Sequence, residues 1–160
     1  MSVAATVCFS APSCSTRRTS AACCTTECVV AGAQPILEAA GVLDRCAIES
    51  GSFFDSVSPG GDAYMLKHIV HDWAEPEALE ILGNVRRAMN PDGTLLLVEI
   101  AIPPDNPHFG KLHDLQILLQ VTGKERTAEQ YAELLDRAGF RQTCVVPTVA
   151  PISVIEAVPF

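Results

Sequence analysis

The chain has 160 residues, of which 48% are hydrophobic and 19% charged, and this suits one globular domain with a core of its own. Nineteen acidic residues outnumber eleven Lys and Arg, so the net charge is -8 and we expect no nucleic-acid partner. No apolar run approaches the roughly 20 residues that cross a bilayer, so we expect no membrane partner either.

The seven cysteines are unevenly distributed, because five of them fall within the first 28 residues. An odd number that includes an adjacent pair argues against a secreted domain stapled by disulfides. The sequence therefore favours a cytoplasmic protein.

The first 28 residues differ in composition from the rest of the chain. They hold ten Ser or Thr, five Ala and five Cys, contain no Gly, Leu or Ile, and follow neither a helical nor a strand period. We therefore predict an irregular segment at 1–28 and a folded domain at 29–160. A transit peptide is an alternative reading of 1–28, because the segment is Ser-rich, poor in acidic residues and carries Arg17 and Arg18.

After residue 28 the pattern alternates between helix and strand. In chain order the predicted elements are a helix at 33–40 ending at Gly41, strands at 45–49 and 62–68, a helix at 75–89, a strand at 94–100, helices at 111–121 and from the capping box of Thr127 and Gln130 to about Arg137, and strands at 141–146 and 153–158. This alternation predicts an α/β protein with a parallel sheet. The link between the last two strands is too short for a parallel crossover, so the sheet should end in an antiparallel pair.

Several side chains capable of proton transfer follow the predicted strand at 62–68. Lys67, His68, His71 and Asp72 lie at its carboxyl end, and in open α/β sheets ligands bind at that edge. A histidine there can accept a proton near neutral pH, and a carboxylate on its other ring nitrogen would stabilise the imidazolium. Glu99 ends the next strand at the same edge and could orient His71.

The same residues have less specific interpretations. A His-x-x-His pattern is more often structural than catalytic, and His68 and His71 have no third ligand at a recognisable spacing, so we expect no metal site. The chain also contains no Gly-x-Gly-x-x-Gly or P-loop sequence to bind a nucleotide.

Five motifs nevertheless occur in a recognisable order: Gly51-Ser-Phe-Phe-Asp55, Lys67-His-Ile-Val-His-Asp-Trp73, Leu95-Leu-Leu-Val-Glu99, Gly123-Lys-Glu-Arg-Thr127 and Ala138-Gly-Phe140. From about Val29 to Phe160 the chain resembles the C-terminal part of S-adenosylmethionine-dependent O-methyltransferases, a class that includes plant caffeate, hydroxyindole and bacterial natural-product enzymes. The resemblance implies a Rossmann-like fold, S-adenosylmethionine as cofactor, and a small aromatic or polyketide-like acceptor with a hydroxyl group.

The resemblance also implies roles for four residues in catalysis. His71 would be the general base that removes the proton of the acceptor hydroxyl, Glu99 and Glu125 would flank and orient it, and Asp72 would belong to the same motif. Methyl transfer depends on alignment more than on acid catalysis, so a base together with positioning suffices.

Four further residues would contact the cofactor by the same resemblance. These are Lys67, Ser52, and Phe53 or Phe54 against the adenine ring. Many family members have Asp where this chain has Ser52, so a charged contact is replaced by a hydroxyl, which can still accept a hydrogen bond.

The resemblance leaves parts of the family pattern unmatched. Intact members homodimerise through an N-terminal helical domain, and they hold the cofactor on a first strand with a glycine-rich loop; we expect this chain to lack all three. Codons permitted by residues 2–7, read from the third base of each triplet, can encode a glycine-rich stretch, so 1–28 is interpretable as an out-of-frame segment.

Two alternatives to an active methyltransferase follow from these departures. One is a non-catalytic, truncated remnant of such an enzyme with at most a role in protein interaction. The other is a small metalloprotein that uses His68, His71 and cysteines, and it would have to contain stoichiometric zinc.

Overall fold

The computed structural model describes residues 5–9, 19–23, 27–103 and 123–160. The strands are β1 (Ala5–Phe9), β2 (Thr19–Cys23), β3 (Cys46–Ser50), β4 (Gly61–Lys67), β5 (Met89–Glu99), β6 (Phe140–Pro147) and β7 (Ser153–Pro159). The α-helices are α1 (Glu27–Ala39), α2 (Glu75–Ala88) and α3 (Ala128–Arg137), and short 3₁₀ turns lie at Leu43–Arg45 and Val70–Asp72.

The described strands form one sheet in the order β3-β2-β1-β4-β5-β7-β6. β2 pairs in parallel with β3 and β4 with β5, whereas β1 runs antiparallel to both β2 and β4. β7 is antiparallel to β5 and β6. The α/β class and the antiparallel pair at the end of the chain are therefore confirmed.

The irregular segment predicted at 1–28 needs correction where the structure describes it. Residues Ala5–Phe9 and Thr19–Cys23 are strands, although their composition carries no strand period. The backbone of β1 fills the gap between β2 and β4, and pairing on both sides satisfies its amide and carbonyl groups. A link of residues 10–18 is shorter than the dozen or more that a parallel crossover needs, so the pair β1–β2 is antiparallel.

The predicted helix boundaries agree with the structure at their C-terminal ends. α1 begins at Glu27 rather than Ala33 and closes at Gly41, whose φ of 65° and N–H bond to the Glu38 carbonyl form a left-handed cap. α3 begins with the predicted capping box, in which Thr127 and Gln130 each accept the other's backbone N–H. The helix predicted at 111–121 lies outside the described residues.

Strand β5 begins at Met89, five positions before the predicted strand, so Pro91-Asp92-Gly93 does not form a separate break. The pairing of β5 with β4 is irregular here, because Met89 lies opposite Gly61 and Thr94 opposite Ala63. The intervening residues are accommodated as a bulge, and the Asn90 side chain ties it to the Gly60 carbonyl and the Asp62 carboxylate.

The core lies between the central strands and helices α2 and α3. The inward face of α2 is the one predicted, and its apolar members are all buried: Ala78, Ile81, Leu82 and Val85, with Met89 just beyond the helix. They join buried residues of β4 and β5, namely Tyr64, Leu66, Leu95 and Leu97. None of the helices in the described ranges is both long and apolar enough to cross a membrane.

Candidate active site

The site lies at the carboxyl ends of β4 and β5. Because these strands are parallel neighbours in which Lys67 lies opposite Val98, Glu99 ends β5 beside the point where β4 ends. The 3₁₀ turn Val70–Asp72 follows β4 and carries His71 over the same edge. The expected meeting of His71 and Glu99 is therefore observed.

His71 is surrounded by three carboxylates. Its Nδ1 atom lies 3.1 Å from Glu99 Oε2 and 3.2 Å from Glu125 Oε1, while Nε2 lies 3.3 Å from Asp72 Oδ1. His71 is 3% exposed, and the Glu99 and Glu125 side chains are fully buried, whereas that of Asp72 is 18% exposed. The structure thus brings all four residues predicted for catalysis together.

The carboxylates control the protonation of His71. Burial of the ring lowers its pKa, but the contacts with Asp72, Glu125 and Glu99 outweigh burial and raise the pKa of His71 to about 12. Burial instead lowers the pKa of the neighbouring His68 below its usual value. In this arrangement His71 is therefore a cation with a proton on each ring nitrogen.

Glu99 also fixes the backbone that carries His71. Its second oxygen, Oε1, accepts the N–H groups of Ile69 at 3.1 Å and Val70 at 2.9 Å. Between β4 and this turn the backbone of His68 adopts a positive φ of 52°, which is unusual for a residue other than glycine. Glu99 therefore binds both the ring and the turn, and the strained residue is held in a structure anchored on each side.

Glu125 reaches the site because the segment 123–126 passes close to the His71 turn. A Cβ atom at Gly123 would overlap the carbonyl oxygen of His71 and lie 2.5 Å from the carbonyl carbon of Asp72. Only glycine permits this approach of two backbones. Sequence reasoning placed Gly123 in a motif without assigning it this role, and no periodic signal in the sequence marks it.

Arg126 is a second residue whose role the sequence analysis missed. It is 2% exposed and points its guanidinium toward the backbone around His71, where Nη1 donates to the carbonyl of Val70 at 3.1 Å. A basic residue next to Glu125 suggests an exposed charge, so only the structure identifies it as buried.

The residues predicted to contact adenine form an aromatic cluster beside the site. The Phe54 ring packs edge-on against two other aromatic rings. Its centroid lies 4.7 Å from that of Trp73 and 4.9 Å from that of Phe53. Phe53 is 1% exposed and belongs to the core, whereas Phe54 is half-buried and retains accessible surface. Burial therefore favours Phe54 over Phe53 for a ring contact. Ser52 Oγ accepts the N–H of Phe54, which stabilises the turn.

Asn84 of α2 holds this aromatic turn in place. Its Nδ2 donates to the carbonyls of Phe53 at 2.7 Å and Phe54 at 2.8 Å, and its Oδ1 accepts from Arg87. Sequence reasoning did not single out Asn84. A lone polar residue on an otherwise apolar helical face is the signal that could have found it, because buried amides are retained where they satisfy backbone groups.

The other side of the expected cofactor site, next to β1, differs from the family pattern. Lys67 is exposed at the end of β4, beside Ala5 of β1. Because β1 is antiparallel to β4, its carboxyl end at Phe9 lies opposite Ala63, at the other edge of the sheet. No glycine precedes Gly32 in the chain. Phe54 and Lys67, the predicted cofactor contacts, therefore retain accessible surface, but residues 1–31 supply no glycine for a glycine-rich turn beside them.

The structure supplies the third donor that the spacing of His68 and His71 lacked. Donor atoms of His68, His71 and Glu99 all lie within 4.8 Å of one another. Glu99 is close to the two histidines in space and distant from them in sequence, so the spacing of the histidines could not show it, and the expectation of no metal site stays a prediction. His71 Nδ1 and Glu99 Oε2 already face each other at hydrogen-bonding distance, so this cluster belongs to the candidate site itself.

Comparison with known proteins decides the family. A family model described as an O-methyltransferase domain matches residues 15–141. The chain belongs to this family. The match begins well before Val29, within the segment that composition had set apart, so the predicted start of the resemblance was too late.

Individual relatives agree with this assignment. The chain is 43% identical over 124 residues to the phenazine O-methyltransferase of Lysobacter antibioticus, covering 77% of this chain and 36% of that protein. It is 35% identical over 130 residues to the 8-amino-8-demethylriboflavin N,N-dimethyltransferase of Streptomyces davaonensis, covering 80% and 37% respectively. The chain thus spans little more than a third of the length of these relatives.

A solved structure of an O-methyltransferase from neocarzinostatin biosynthesis, in complex with S-adenosylmethionine and 2-hydroxy-5-methyl naphthoic acid, has the same fold. It superposes with a TM-score of 0.78 at 26% identity, covering 87% of this chain and 41% of that one. The Rossmann-like methyltransferase fold is therefore confirmed.

Proposed function

We propose that this chain carries the catalytic residues of a methyltransferase that uses S-adenosylmethionine and methylates a hydroxyl of a small aromatic or polyketide-like acceptor. The observation that carries the proposal is the position of His71, whose Nδ1 lies between two buried carboxylates. That arrangement is typical of a histidine whose other nitrogen takes a proton, since the carboxylates stabilise the resulting imidazolium.

His71 acts at Nε2 in this proposal. Glu99 and Glu125 keep a proton on Nδ1, so the lone pair of the neutral ring lies on Nε2. The acceptor hydroxyl gives its proton to Nε2 while its oxygen forms a bond to the methyl carbon. S-adenosylmethionine, when bound, supplies that methyl group on a sulfonium that leaves as a neutral thioether.

Asp72 must leave Nε2 before the acceptor can bind there. Its carboxylate is the most exposed of the three and can turn toward solvent, whereas the two glutamates are buried. When the neutral hydroxyl of the acceptor takes the place of the Asp72 carboxylate beside Nε2, one negative charge moves away from the ring. The pKa of His71 therefore falls. Acceptor binding thereby prepares His71 to release the Nε2 proton to solvent, after which the neutral ring acts as the base.

Family membership and the position of His71 both support a hydroxyl oxygen as the atom that accepts the methyl group. A hydroxyl needs a general base more than an amine does, and His71 is placed to be one. The naphthoic acid bound to the neocarzinostatin enzyme supports an aromatic acceptor. The riboflavin-type relative is named as an N,N-dimethyltransferase, so an amine acceptor is the alternative to exclude.

The test is the His71→Ala variant, assayed in an intact homologue or in a full-length protein with the family's N-terminal half. We expect kcat to fall by about 10²-fold or more, with nearly unchanged affinity for S-adenosylmethionine. His68→Ala is the matched control, because its ring centroid lies 5.3 Å from that of His71 and it has no assigned role; its loss should be much smaller. Unchanged kcat in His71→Ala would leave positioning as the only catalytic device.

The non-catalytic remnant makes a different prediction. It requires that a full-length protein carrying these residues shows no methyl transfer to any phenolic or amine acceptor. Family membership and the assembled His71 cluster support the enzyme.

A further inference from the structure

Arg126 is a buried charge that the proposed reaction does not use. It precedes α3 and is 2% exposed, with its backbone bridged to Ala101 and its carbonyl accepting from Ile102. Burying a guanidinium costs free energy unless its donors are satisfied, so their partners indicate what the residue does.

The donors of Arg126 reach backbone carbonyls on both sides of His71. Nη1 donates to Val70 at 3.1 Å and Nη2 makes a longer contact of 3.5 Å with Trp73. Nη1 also donates to Lys124 at 3.2 Å, which ties the turn to the segment that carries Glu125. The Arg126 side chain therefore contacts backbone on both sides of His71, at Val70 and Trp73. It also contacts the backbone of Lys124, next to Glu125.

The guanidinium of Arg126 also lies over an aromatic ring. Its central carbon lies 5.9 Å from the ring centroid of Tyr131 on α3, a residue with no exposed surface. Burial, and then the nearby carboxylates, raise the pKa of Tyr131 well above its usual value, so this ring remains a neutral platform.

We propose that Arg126 is a positioning residue for the general base: it clamps the turn Val70–Asp72 onto the segment 123–126 so that His71 and Glu125 stay in contact. This inference rests on the proposed function for its catalytic meaning. Arginine suits the role better than lysine, because a planar fork reaches carbonyls in different directions while a lysine ammonium is a single point.

The test measures the titration of His71 in the purified 160-residue chain by NMR of the imidazole nitrogens, a readout that needs no turnover. In Arg126→Gln we expect the pKa of His71 to fall by about 1 to 3, because the turn moves away from Glu99 and Glu125. Loss of charge alone would instead raise that pKa. The emission of Trp73, the single tryptophan, should shift to longer wavelength as the turn, released from Arg126, exposes its indole ring to water.

Arg137→Gln is the matched control, because it removes the same charge from an exposed residue paired with Glu75. It should leave both signals unchanged. If the pKa of His71 in Arg126→Gln equals that of the wild type, the proposal is overturned.

Arg126→Lys keeps the test decisive if Arg126→Gln does not fold. Lysine preserves the charge but not the fork, so the pKa of His71 should again fall, by less. A titration in Arg126→Lys equal to that of the wild type would show that charge suffices, and would overturn the clamp. If wild-type His71 titrates as described and a full-length enzyme shows no methyl transfer, the proposed function fails while the clamp stands.

Discussion

The two halves of the sheet differ in how they relate to the site. In the half containing β4 and β5, strands run parallel in long register and deliver His71 and Glu99 to one edge. In the other half, β1 occupies the position between β2 and β4 but runs in the opposite direction. Its carboxyl end therefore lies away from His71.

This difference separates two requirements of a methyltransferase. The carboxylate–histidine cluster depends on β4, β5 and the segment 123–126, all of which are in place. A cofactor cradle depends on the turn after the strand next to β4, because ligands in such sheets bind at the carboxyl ends of parallel strands. Here the strand next to β4 ends at the opposite edge, and residues 10–18 that follow it in sequence contain no glycine. The cluster around His71 can thus be assembled independently of a cofactor cradle.

The largest effect should come from repairing the N-terminal half of the sheet. We predict that the coding region read in the shifted frame is open and contains glycine codons, and that a protein carrying that translation binds S-adenosylmethionine more tightly. Two restored hydrogen bonds to charged groups, at about 1.5–3 kcal/mol each, correspond to roughly 10²-fold or more. Sequencing followed by calorimetry checks this. Stop codons in the shifted frame would mean that 1–28 is the genuine sequence.

Gly123→Ala should disturb the other half most strongly. The added methyl group meets backbone atoms of the His71 turn, which cannot move aside as a side chain would. We expect a loss of about 1–3 kcal/mol or more in the free energy of unfolding, together with a changed Trp73 emission. Gly83→Ala is the control, since its nearest neighbour is the flexible end of Arg87 at 3.6 Å. Equal stability of the two variants would contradict the close approach.

Asn84→Ala should have a smaller effect, confined to the aromatic turn. It leaves the buried carbonyls of Phe53 and Phe54 without their donor, at a cost of about 1–3 kcal/mol in urea denaturation. The His71 titration should remain that of the wild type, because Asn84 contacts no member of the carboxylate cluster. A shifted titration would show that the two parts of the site are coupled.

The sequence predicted the elements of the site better than their contacts. Strand periodicity and the parallel arrangement placed His71 and Glu99 at one edge, and the capping box at Thr127 located α3. Glu125 came only from the family resemblance, because its approach depends on Gly123, whose role is visible only in three dimensions. The strand at Ala5–Phe9 was not predicted, since its sequence carries no strand period; only the structure shows its backbone paired with β4.

The pH dependence of stability should be the most local signal. The pKa of folded His71 is raised from 6.5 to about 12, so its charged form contributes stability that is fully present below pH 6.5 and is lost as the pH rises toward 12. The difference in unfolding free energy between wild type and His71→Gln should therefore be largest at pH 6 and smaller at pH 9. Urea denaturation at both values measures it, and a constant difference would contradict the ion cluster.

The contrast between the two halves is tested most directly by titrating S-adenosylmethionine into the purified 160-residue chain in a calorimeter. Phe54 and Lys67 are proposed to form one side of a site, while the strand beside β4 is reversed, so we predict a dissociation constant of roughly 1 mM or weaker, equivalent to about 4 kcal/mol of binding free energy. A dissociation constant in the micromolar range would contradict the account, because it would require a complete cofactor cradle at this edge of the sheet.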